Sequence, residues 1–167
     1  TSLEKAPELP ATVLAERCYG SMFSGCTSLT EAPLLPATIL ARSCYSGMFF
    51  DCTNLTEAPL LPATILAESC YECMFEGCIG LIETPQLLAT TLETYCYKRM
   101  FRKCSNLNKV TMLATDESVR YYLGLWLDGV SSTGTFIKSP EMDESSFESG
   151  ADGIPSGWTV VDYEENK

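Results

Sequence analysis

Apolar residues along this chain return in step every 26 positions. Leu3, Leu29, Leu55, Leu81 and Leu107 form one column, Cys18, Cys44, Cys70 and Cys96 a second, and Cys26, Cys52, Cys78 and Cys104 a third. Met22, Met48, Met74, Met100 and Phe23, Phe49, Phe75, Phe101 keep the same interval. Self-similarity at about 20–29 residues with a fixed leucine marks a leucine-rich solenoid, a stack of supersecondary units. Within one unit, Leu29, Ala32 and Leu34 take the inward spacing of a leucine-rich strand and leave Glu31 and Pro33 outside. Pro7, Pro33, Pro59 and Pro85 share a column, and proline donates nothing to a ladder, so parallel pairing is held to two or three residues per repeat. Leu40, Cys44 and Met48 then lie at i, i+4 and i+8, widened by Ala41, Tyr45 and Phe49. That spacing predicts a helix over 40–49, with Thr38 as N-cap and the column Gly25, Asp51, Gly77, Lys103 as its exit. The expected fold class is an α/β solenoid, with short parallel strands on one face and helices on the other.

The fifth unit keeps the spacing and changes the residues. Tyr122 and Val130 stand where cysteines are due, Trp126 replaces methionine and Leu127 replaces phenylalanine, as suits a terminal cap. A helix is expected over 118–127, a strand over 133–138 and a closing strand over 157–163, around an acidic loop at 141–153. The organisation is therefore an array over 1–130, about five units with the last a cap, and capping strands over 131–167. Thr1-Ser2-Leu3 matches Thr27-Ser28-Leu29, so the chain opens inside a repeat and reads as a piece of a longer protein with its targeting signal upstream. An uncovered first repeat predicts self-association through that end.

Charge narrows the partners. The net charge is −11, with 14 acids against 10 bases over 1–140 and 8 against 1 over 141–167. Without a basic stripe the chain is a poor ligand for nucleic acid, and it has no apolar run long enough to span a membrane. Eight of the nine cysteines occupy equivalent repeat positions and point in parallel, so disulfides and zinc are disfavoured and buried thiols expected. The second cysteine column, Cys26, Cys52, Cys78 and Cys104, is placed to hydrogen-bond turn backbone. Cys73, in the variable column Ser21, Gly47, Cys73, Arg99, reads as a surface thiol. Opposite charges a repeat apart (Glu16, Arg42, Glu68; Glu72, Lys98; Glu76, Arg102, Asp128) are placed to fix register. With no histidine, nucleophile elbow or phosphate loop, no catalytic residue, metal site or cofactor is assigned.

Outward strand residues supply the candidate binding surface: the column Lys5, Glu31, Glu57, Glu83, Lys109, and beside it Glu4, Thr30, Thr56, Ile82, Asn108. The three carboxylates suit either a solvated acidic stripe or a calcium ion. Phe50 reads as an outward aromatic on the opposite side.

The unit running from Ala32-Pro33 through Cys52 to Leu55, with its Met48-Phe49 pair and Asp51-Cys52 exit, resembles the BspA-like leucine-rich repeats of bacterial cell-surface proteins. The 133–138 and 153–162 segments are similar to the endings of such proteins in Bacteroides-type bacteria. The resemblance implies a secreted or surface-attached adhesion or interaction scaffold, binding a protein or glycan on a host or microbial surface. A structural spacer displaying other domains is the alternative.

Overall fold

The computed structural model describes residues 2–115, 122–142 and 149–164. Its regular elements are three strands, β1 (Lys109–Met112), β2 (Gly134–Lys138) and β3 (Trp158–Asp162), in one parallel sheet of order β1-β2-β3. Among the described residues there is no helix, which overturns the expected α/β solenoid with helices on one face. The helix expected over 118–127 lies partly, and the acidic loop partly, outside the described residues.

A ribbon of linked turns replaces each expected helix. Every fourth residue takes a left-handed conformation: Ser43, Gly47 and Asp51 in the second repeat, Ser69, Cys73 and Gly77 in the third. An α-helix cannot pass through such positions. The N–H groups of Cys44, Ser46, Met48, Phe50 and Cys52 close three-residue turns onto Ala41, Ser43, Tyr45, Gly47 and Phe49. The alternate N–H groups of Ser43, Tyr45, Gly47, Phe49 and Asp51 reach the next repeat, on Glu68, Cys70, Glu72, Met74 and Glu76, at 2.8–3.0 Å. Each backbone donor from 43 to 52 is thereby satisfied, which offsets the strain of the left-handed residues.

This period of four explains the apolar pattern that suggested a helix. Cys44, Met48 and Cys52 point inward together with Tyr45 and Phe49, all essentially inaccessible. Equivalent rings stack at each step: Tyr19, Tyr45, Tyr71 and Tyr97 at 5.8–6.1 Å, and Phe23, Phe49, Phe75 and Phe101 at 5.5–5.6 Å. The second cysteine column hydrogen-bonds backbone as expected: Cys52, Cys78 and Cys104 donate to the carbonyls of Phe23, Phe49 and Phe75 at 3.0–3.1 Å. Ion pairs one repeat apart join Arg42 to Glu68, Lys98 to Glu72, and Arg102 to both Glu76 and Asp128. Glu76, only 2% exposed, also receives Arg99.

The C-terminal segment closes this stack. Trp126 is fully buried, meets Phe136 edge-on and donates its indole N–H to Gly153 at 2.9 Å. Leu125 sits where a ribbon N–H would reach a following repeat, and the Asp152 carboxylate accepts it at 2.6 Å. β2 and β3 form within the two segments the alternation marks as strands.

Candidate interaction surface

The strand side is where this chain exposes its distinctive chemistry, and it is built from the motif A-P-x-L-P-A-T. In the second repeat Leu35 and Ala37 are buried while Leu34, Pro36 and Thr38 face solvent. This inverts part of the expected pattern. Leu34 is the outward leucine, Leu35 the inward one, and Pro33 is buried, not open. The doubled Leu34-Leu35 admits either register by composition alone, and a one-residue slip exchanges the two faces.

The candidate column lies along this side, every member exposed. Lys5 pairs with Glu31 at 2.9 Å and Lys109 with Glu83 at 2.8 Å, and both steps are also parallel backbone bridges. The hydrogen bond to Glu31 holds the Lys5 ammonium above its ordinary pKa. Glu57, between them, forms no ion pair among the described residues, and no backbone hydrogen bond joins residues 56–62 to either neighbouring segment. The structure thus brings the five residues into two ion pairs and one isolated carboxylate. In the adjacent column Thr30 donates its N–H and hydroxyl to Glu4 O, and Asn108 N–H reaches Ile82 O. Among the described residues no three carboxylate, thiol or imidazole groups converge as a metal ion would need.

Clefts open between successive segments. One of about 430 Å³ lies between residues 5–10 and 31–36, one of about 260 Å³ between 30–32 and 57–59, and one of about 690 Å³ between 56–60 and 82–86. Leu34 lines the first of these clefts and Leu60 the third. Leu34, Leu60, Val13, Ile39 and Ile65 are 71–80% exposed. Val13, Ile39 and Ile65 form a continuous bridged row. Their signal was present in the conserved spacing of branched residues just after each Ala-Thr, but a helix N-terminus was expected there. Two other assignments change: Phe50 is half-buried, and so is Cys73. Burial, reinforced by the Glu76 carboxylate, pushes the Cys73 thiol up to about 11, which makes it a poor nucleophile. The exposed thiol is Cys18.

No protein family, no curated protein and no solved structure matches this chain.

Proposed function

We propose that this chain is a non-enzymatic protein-interaction or adhesion scaffold, part of a secreted or cell-surface bacterial protein. The observation carrying this reading is the set of exposed aliphatic side chains: Leu34 and Leu60 lining open clefts, and the bridged row Val13, Ile39 and Ile65. Exposed apolar groups gathered on one side mark interaction surfaces, whereas a spacer is served by a polar face. Other polar chemistry is committed to structure: Cys52, Cys78 and Cys104 are bound to carbonyls, and Arg42, Arg99 and Arg102 face carboxylates of adjacent repeats.

The test is a surface-plasmon-resonance screen of the immobilised chain against matrix proteins, bacterial surface proteins and a glycan array. Saturable binding that is lost in Leu34→Glu and Leu60→Glu variants is the expected result. A screen with no saturable partner overturns the reading.

A further inference from the structure

The strand side carries information about which partner it takes, given that it is a binding face at all. Segments 30–38, 56–64 and 82–90 contain three glutamates and no basic residue, and the strip they form is bounded by Lys5 and Lys109. At each boundary a lysine meets a glutamate of the same column at 2.8–2.9 Å and the backbone closes into a bridge. At the two inner steps glutamate follows glutamate, and the backbone of 56–62 stays unbonded to both neighbours. Like charges at adjacent ladder positions oppose pairing. The molecule therefore shows twice what satisfies a glutamate in this column, and leaves Glu57 without it.

The surroundings of Glu57 restrict the partner further. Leu34 stands exposed in the preceding segment and Leu60 in Glu57's own, and Ile82 lines the far wall of the 690 Å³ cleft. A soluble cation would satisfy the carboxylate and leave these aliphatic groups wet. An extended chain would satisfy both, and would also meet the free donors and acceptors of the unpaired backbone. We infer that this face docks an extended segment of a partner protein in which lysine alternates with aliphatic residues, a lysine ammonium against Glu57 and aliphatic side chains on Leu34 and Leu60.

Fluorescence anisotropy with a labelled, end-blocked decapeptide alternating lysine and leucine tests the assignment on the whole chain at moderate salt. A peptide alternating glutamate and leucine is the control. The lysine peptide should bind saturably and the glutamate peptide should not. Glu57→Lys and Leu60→Glu should each weaken binding by about tenfold or more, as loss of a central contact does. Glu16→Lys makes the same charge change on the ribbon side and should stay within about twofold. Glu57→Gln repeats the test without adding charge, should Glu57→Lys disturb folding by circular dichroism. Absence of binding, equal weakening by Glu16→Lys, or indifference to Glu57→Lys and Glu57→Gln overturns the assignment. A partner from the wider screen that ignores Glu57 overturns this inference and leaves the scaffold reading standing.

Discussion

Two stretches separated by two repeats occupy the same place on the strand side: Glu57-Ala58-Pro59-Leu60-Leu61-Pro62 and Lys109-Val110-Thr111-Met112-Leu113-Ala114. The first exchanges no backbone hydrogen bond with its neighbours; the second contains β1 and pairs with β2 over four positions. Two prolines in the first correspond to Thr111 and Ala114 in the second, and a glutamate between glutamates corresponds to a lysine opposite one. Even the facing differs, for Leu60 is exposed and Met112 is fully buried. The cause is visible one repeat earlier. Glu83 pairs with Lys109 but Leu87 pairs with Met112, so the register slips by one residue across Pro85. Thr84 Oγ1 accepts the Thr111 N–H there. A slip of one residue turns the following side chains over. Proline content and charge order thus divide one repeating motif into an open face and a closed sheet.

The largest expected effect separates the two regions by pH. Burial pushes the Cys44 and Cys52 thiols up to about 11 and those of Cys96 and Cys104 up to about 12, and it raises Tyr45, Tyr71 and Tyr97 as well. These groups hold their protons in the folded state after an unfolded chain has begun to lose them. Their contribution is complete below the unperturbed thiol value of 9.0 and drains away as pH rises towards the folded values. Each thiol accounts for about 1.4 kcal/mol per pH unit in that window, so two thiols over two units amount to about 5 kcal/mol, comparable to the whole stability of a domain. No cysteine follows Cys104, so all of these thiols lie in the repeat array and none in the β1–β3 sheet. Urea titrations from pH 7 to 11, followed by tryptophan fluorescence and by far-ultraviolet dichroism, should show the repeat array failing first. Flat stability across that range would contradict the buried-thiol account.

Next in size is the closure itself. Trp126→Ala removes a fully buried ring, its edge contact with Phe136 and its bond to Gly153. It should cost about 3–5 kcal/mol in urea unfolding. Leu60→Ala on the open face should change stability by less than about 0.5 kcal/mol. Similar losses in the two variants would mean that the open face is packed after all.

A third substitution addresses the ribbon, with a sign that separates it from a helix. Ser43 has φ of 52°, so Ser43→Gly relieves left-handed strain and should stabilise the chain by about 0.5–1 kcal/mol. Glycine in a helix interior would instead cost about 1 kcal/mol. The shift of the urea midpoint decides between them.

The 26-residue columns made the repeat legible, and with it the stacked rings, the ion pairs between repeats and the thiol–carbonyl bonds, because each depends only on equivalent residues lying one above another. The ribbon was not legible as such, since inward residues at i, i+4 and i+8 satisfy a helix and a four-residue turn period alike. What distinguishes the two is propensity: Ser43, Cys44, Tyr45, Ser46 and Gly47 in succession are weak helix formers, and Gly25, Gly47 and Gly77 fall on left-handed positions. On the strand side, Lys5, Glu31, Glu57, Glu83 and Lys109 were identifiable because charge faces outward. The exposed leucines were not, because Leu34-Leu35 and Leu60-Leu61 conceal which member is inside.

The smallest effect bears most directly on why the face is open. Replacing Glu57 with lysine makes the column alternate in sign, and adding Pro59→Thr restores the N–H that β1 possesses at the same place. If like charge and proline hold the segment apart, the double variant should close bridges from 57 to both 31 and 83. The energetic gain is modest, about 0.3–1 kcal/mol, because the pairs are solvent-exposed. Hydrogen exchange reads it more sensitively than unfolding does. Amides of residues 56–58 should slow towards the rates of Thr84 and Asn108, which already donate across a closed step. Glu57→Lys alone should produce part of that slowing, since Pro59 still withholds its donor. Unchanged exchange in the double variant would place the cause of the opening in the register set by Leu35 and Leu61 beneath the surface, not in the residues displayed on it.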